Sequence, residues 1–102
     1  MPSAPPTPLP TTVQVRYFAS LRERLGSGEL VELPPGVVTT VGALRDHLVA
    51  RGGRHAEALG RPRALRCALN QTLADEAALV VAAGTGGDVR PEVAFFPPVT
   101  GG

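Results

Sequence analysis

Only one stretch of this 102-residue chain repeats its apolar residues at a helical period for more than a turn or two. It is "TVGALRDHLVARGG", in which Val41, Leu44 and Leu48 form a stripe, Thr40 is placed to cap the start and Gly52 marks the end. A lone amphipathic helix must bury its stripe against another kind of element. The remaining apolar segments alternate, which is the strand period. "VQVRYF" puts Val13, Val15 and Tyr17 on one face, and "ELVEL" (29–33) runs until Pro34-Pro35-Gly36 stops it. "LRCAL" sets Leu65, Cys67 and Leu69 in phase, and "NQT" after it reads as a turn. "LVVAA" (79–83) and "VRPEVAFF" (89–96) flank a glycine-rich bend and suit the remaining strands. Between the first two strands "ASLRERLG" predicts a short helix, with Leu21 and Leu25 one turn apart and Gly26 as a left-handed C-terminal cap. Residues 55–63 read as a weak helical turn followed by a loop.

The order is strand, short helix, strand, main helix and three short strands, and it predicts an α+β domain: a mixed sheet with one main helix packed across it. The β-grasp fold fits best, although the pattern alone also permits a ferredoxin-like arrangement. A chain of this length supports one core. Five prolines among the first ten residues favour extended, unpaired backbone, so residues 1–11 are read as a disordered, solvated arm. Its PxxP spacings (Pro2 to Pro5, Pro5 to Pro8) would also suit an aromatic groove. The domain is then 12–96, and 97–102 is an extended tail ending in Gly-Gly.

Several function classes lack support in the sequence. A formal net charge of +1 gives no electrostatic case for nucleic acid or an anionic membrane. No apolar run approaches a membrane span, and the N-terminus has neither the basic residues nor the apolar stretch of a secretory signal. A single cysteine rules out an internal disulfide and fits a reducing compartment, so a cytoplasmic location is expected. His47 and His55 have no cysteine or carboxylate at ligand spacing, so no metal site is expected. Cys67 shares the apolar phase of its strand and reads as a buried thiol. "AAGTGGDVR" lacks the lysine and following helix of a phosphate-binding loop. Nothing resembles a self-contained active site.

The aromatic residues and the tail are more informative. Phe18 falls out of phase with Val13, Val15 and Tyr17, and Phe96 falls out of phase with Val93 and Phe95. Two of the three phenylalanines therefore point away from the core, as interface anchors do, unless twist, a bulge or helices on both faces bury them. Beyond them Pro97 and Pro98 end the strand and stiffen the exit, while Gly101 and Gly102 leave a tip without side chains. A rigid base with a slim tip suits insertion into another protein's cleft. The reactive group there is the terminal carboxylate, which resists attack until one oxygen becomes part of a leaving group. As a random terminal Gly-Gly the tip would mean nothing.

"ALNQTL" followed by "EVAFFPPVTGG", with "RYFASLRERLG" near the start and "TVGALRDHL" between, closely resembles the family of small sulfur-carrier subunits of molybdopterin synthase over about residues 13–102. The resemblance implies a ubiquitin-like β-grasp fold. It implies that a ubiquitin-activating-type adenylyltransferase uses ATP, with Mg, to form an acyl-adenylate on Gly102, and that a sulfur donor protein converts it to a thiocarboxylate, a 1-thioglycine. The tail (Pro97, Pro98, Val99, Thr100, Gly101) would then enter the active site of the large synthase subunit, where the sulfur attacks cyclic pyranopterin monophosphate. Two deliveries form the dithiolene. Phe18, Leu73 and Phe96 match hydrophobic contact positions of that family, which usually assembles as a heterotetramer. This chain would bind no cofactor itself and would not be catalytic alone.

The sequence departs from the family in its proline-rich arm, in a glycine-rich insertion near 82–90 and in "DVRP" where Asp-Gly-Asp usually leads into the last strand. The same tail logic suits a carrier for thiamine or tRNA thiolation, or a ubiquitin-like protein modifier. A modifier of this sequence could not build chains through its own lysines, because all ten cationic residues are arginine. A plain adaptor using Phe18, Phe96 and the arm is a further alternative.

Overall fold

The computed structural model describes residues 11–33, 39–60, 64–80 and 90–98. In chain order the elements are β1 (Thr11–Tyr17), α1 (Ser20–Leu25), β2 (Gly28–Leu33), α2 (Val41–Val49), α3 (Gly53–Leu59), β3 (Arg66–Leu69), β4 (Thr72–Ala74) and β5 (Glu92–Phe96). The strands form one sheet in the order β2-β1-β5-β3-β4. β1 and β5 pair in parallel at its centre, and every other neighbouring pair is antiparallel. A ferredoxin-like sheet is antiparallel throughout, so the central parallel pair excludes that alternative. The fold is β-grasp.

The alternation of β1 sends Val13, Val15 and Tyr17 to the helix side, where each is at most 1% exposed. Val31 and Leu33 of β2 and Val93 and Phe95 of β5 join them, and Val41, Leu44 and Leu48 of α2 close the other side. Each fully buried side chain of this size stabilises the fold by about 1.5–3 kcal/mol relative to exposure. The start of α2 is fixed by its cap: Thr40 Oγ1 accepts the Ala43 N–H at 3.0 Å. Gly42 lies where α2 passes close to the 75–78 turn. Its N–H donates to the Glu76 carbonyl at 2.9 Å, and a Cβ there would sit 3.0 Å from the Glu76 Cβ.

Four sequence expectations change. Gly52 does not end α2, which stops at Val49; with φ +74 it caps the start of α3. The weak turn expected over 55–63 is a seven-residue helix, Gly53–Leu59, and its Ala58 and Leu59 are buried. Seven residues are too few to establish a period, and burial of those two side chains stabilises the helix instead. Gly26 has φ +90 but ψ −178, so it closes α1 through its N–H to the Arg22 carbonyl without a left-handed helical cap. An unexpected strand, Thr72–Ala74, precedes the glycine-rich bend; of "LVVAA" only Leu79 and Val80 are among the described residues, and Leu79 makes an isolated bridge to Thr40. Asn70 and Gln71, with φ 50° and 71°, form the two-residue turn that sets β4 back against β3. The arm expected over 1–11 lies outside the described residues except Thr11, which opens β1. Most of the 82–90 bend, and Val99 to Gly102, also lie outside them.

Candidate functional site: the open sheet face and the base of the tail

The three helices among the described residues pack on one face of the sheet, so the register decides what the other face presents. Arg16 pairs with Ala94, Ala94 with Ala68 and Ala68 with Leu73, forming one row across four strands. The next row pairs Phe96 with Arg66. Phe18 extends that row beyond β1, its N–H donating to the Phe95 carbonyl at 3.2 Å. Phe18 is 47% exposed and Leu73 69% exposed, whereas Phe96 is half-buried. Ala94 lies on this face yet is buried, so the two alanines form a low floor between the aromatics and Leu73. The structure thus brings Phe18, Leu73 and Phe96 to one surface.

The tail leaves from the same end. β5 is hydrogen-bonded on both sides, by β1 and β3, until Phe96. Pro97 then interrupts the ladder because it has no N–H. Pro97 is half-buried against a cavity of about 340 Å³ shared with Leu21 and Arg24 of α1, Ala58 of α3 and Leu65. Pro98 is exposed. Alone among the described residues outside the Asn70-Gln71 turn, Ala19 combines a Cβ with a positive φ (55°, ψ −130°). It turns the chain from Phe18 into α1.

One polar cluster was not foreseen. Glu29 accepts from the Tyr17 hydroxyl at 2.8 Å and pairs with His55 Nε2 at 2.8 Å and with Arg51. Burial alone would raise the Glu29 carboxyl, but hydrogen bonds from His55, Tyr17 and Arg51 outweigh it and hold the group below the ordinary glutamate range. Burial, then the hydrogen bond to the Glu29 carboxylate, pushes the Tyr17 phenol well above its usual value. The four residues come from separate segments, so no local spacing announced them. They tie the first turn of α3 to the sheet. The far end of α3 is held by Arg45, whose Nε donates to the Leu59 carbonyl at 2.6 Å and whose Nη2 donates to the Gly60 carbonyl at 2.8 Å.

Cys67 is buried; burial, with Glu76 and Asp75 nearby, raises its thiol, and its Sγ donates to the Ala74 carbonyl at 3.1 Å. His47 is exposed on α2, away from His55. Among the described residues no three histidine, cysteine or acidic side chains gather to hold a metal ion. None of their helices is long and apolar enough to cross a membrane.

A β-grasp domain of this topology, with a largely apolar open face and a proline at the exit from its central strand, is a ubiquitin-like domain. The family model for the ThiS family matches residues 15–102, and the chain belongs to that family. It is 42% identical over 90 residues to the molybdopterin synthase sulfur carrier subunit of Escherichia coli (strain K12), spanning 88% of this chain and 99% of that protein. The protein of the same name from Haemophilus influenzae (strain ATCC 51907 / DSM 11121 / KW20 / Rd) is 39% identical, with the same coverage of both chains. Among solved structures, SAMP1 from Haloferax volcanii superposes with a TM-score of 0.60 at 26% identity, covering 89% of this chain and 99% of that one.

Proposed function

We propose that this chain is a sulfur carrier subunit of molybdopterin synthase and that Gly102 is its working residue. The observation that carries this reading is the extent of the similarity: the family model runs from within β1 to Gly102, and two relatives named molybdopterin synthase sulfur carrier subunit align over 88% of this chain. The carboxylate oxygen of Gly102 attacks the α-phosphorus of ATP on an adenylating partner, and pyrophosphate leaves. Hydrosulfide released by a donor protein then attacks the acyl carbon, AMP leaves, and a thiocarboxylate remains. Two easier displacements replace one that water and a resonance-stabilised carboxylate would forbid. The terminal sulfur next attacks cyclic pyranopterin monophosphate inside the large subunit, which covers Phe18, Leu73 and Phe96 while the Pro97–Gly102 tail enters its cleft. The large subunit supplies substrate binding and acid-base groups, and two carriers serve two large subunits in a heterotetramer. The reading locates the protein in the cytoplasm, where a lone cysteine stays reduced.

Intact-mass measurement after incubation with ATP, the activating enzyme and a sulfur source tests the chemistry: one oxygen is exchanged for sulfur. An unchanged mass under conditions that convert a proven carrier rejects it. Appending one alanine after Gly102 should abolish sulfur delivery while leaving the fold intact. Heavier covalent conjugates in cell extracts, in place of the thiocarboxylate, would instead mark a protein modifier.

A further inference from the structure

The open sheet face holds a charge that its apolar residues do not explain. Arg66 sits directly across from Phe96 on β3. Its side chain is exposed and has no hydrogen-bond or ion-pair partner among the described residues. A second arginine of this face, Arg16, is already engaged: its Nε lies 3.2 Å from the Glu92 carboxylate. Glu92 is thus committed to Arg16, and the row containing Phe18, Phe96 and Arg66 has no carboxylate of its own.

Neighbouring strands are spaced about 4.8 Å apart, so Arg66 stands roughly 5 Å from Phe96 and 10 Å from Phe18. A protein that covers both phenylalanines must also remove water from this guanidinium. An uncompensated charge at the edge of a dry interface opposes association, whereas a carboxylate placed opposite it offsets the lost hydration. The side chain is arginine, whose planar fork meets a carboxylate through two parallel hydrogen bonds. Beside it, Ala68 and Ala94, which carry only methyl side chains, lie between Phe96 and Leu73 on the same face.

We propose that Arg66 is a specificity-determining residue of this face: the large synthase subunit presents a carboxylate to it, next to an apolar side chain seated over Ala68 and Ala94. The inference rests on the sulfur-carrier reading for the identity of the partner. The pair lies at the rim of the apolar patch, so it acts mainly on the rate of encounter and on partner choice.

Association of the full-length chain with the large subunit, followed by stopped-flow fluorescence at low and high ionic strength, tests this. Arg66→Glu should slow association about tenfold at low salt, with the gap closing as salt screens the pair. Arg66→Lys should keep most of the rate, and Arg66→Gln should fall between. Thermal melts confirm that these surface variants stay folded. Phe96→Ala serves as the control for the face itself. If Phe96→Ala weakens binding while Arg66→Glu stays within about twofold of the parent at low salt, the Arg66 pairing is overturned and the sulfur-carrier reading stands. If the parent chain does not bind the large subunit at all, that reading fails and the pairing with it.

Discussion

Replacing Arg45 with methionine should cost the domain about 2–4 kcal/mol, because its guanidinium bridges α2 to the end of α3 and to Glu76 through donors that no apolar side chain replaces. Arg45 is 3% exposed, the one buried charge among the described residues. Its Nε donates to Leu59 and its Nη2 to Gly60, while Nη1 reaches Glu76 Oε2 at 3.3 Å. Methionine keeps much of the aliphatic stem but no donor. The Leu59 carbonyl then lies beneath a fully buried residue without its partner, which costs about 1–3 kcal/mol. Gly60 is half-buried, so water replaces part of its bond, and the loss there is about 1 kcal/mol. The Glu76 side chain is 39% exposed, so solvent screening limits that pair to well under about 1 kcal/mol. Relief from burying a guanidinium works in the opposite direction and trims the total.

For a domain of this size 1 kcal/mol corresponds to about 4–8 °C in Tm, so the expected fall is roughly 10–25 °C. Circular dichroism melts measure it. Native-state hydrogen exchange should show α3 amides losing protection before those of β1 and β5. Arg45→Lys should fall between, since one ammonium cannot span two carbonyls and a carboxylate. A Tm within about 4 °C of the parent, or above it, would refute the reasoning. It would mean that dehydrating the guanidinium cancels everything its hydrogen bonds contribute.

Two further outcomes follow from the same packing. Glu29 is held below its ordinary range in the folded state, so its contribution is fully present above the unfolded glutamate value of about 4.3 and is lost as pH falls through the folded one. Urea midpoints of the parent and Glu29→Gln should therefore differ at neutral pH and converge on acidification; a gap independent of pH from about 3 to 7 contradicts the assignment. Ala19→Gly should raise Tm by a few degrees. Glycine tolerates the Ala19 conformation, and relief of about 1–2 kcal/mol of strain exceeds the extra unfolded-state entropy of about 0.5–1 kcal/mol; a lower Tm would show that the Ala19 turn carries no strain.

The parts legible in the sequence were those with a clean period. β1 and α2 each alternate or repeat over several residues, so their buried faces followed directly: Val13, Val15 and Tyr17, and Val41, Leu44 and Leu48. Phase also found Phe18 on the open face, because a residue one step out of register in a strand must point the other way. It gave only half an answer at Phe96 and Ala94. β5 is central, and neighbours on both sides cover residues that an edge strand would expose. α3 was obscured because Gly52 and Gly53 read as a terminator, when positive φ at both lets the chain start a new helix. β4 was missed because three residues carry no period; the Asn70-Gln71 turn fixes its position. Arg66 and Ala68 were available to the same phase argument, being out of step with Cys67, but only the pairing to Phe96 and Ala94 gave them meaning. The Glu29 cluster had no sequence signal at all.

Under the proposed function a C-terminus, usually a place where order fades, is put to work, and the sheet order suits that use. A tail that another protein draws into its cleft exerts a pull on whatever strand it continues. An edge strand would answer that pull by peeling away through one ladder of hydrogen bonds. β5 instead sits at the centre, held in parallel by β1 and antiparallel by β3, with Val93 and Phe95 locked in the core beneath. Detaching it requires breaking both ladders and opening the core, which approaches the cost of global unfolding. Pro97 has no N–H with which to continue either ladder, so the anchored strand ends sharply there. The open face beside that exit is thereby held rigid enough for a partner to recognise.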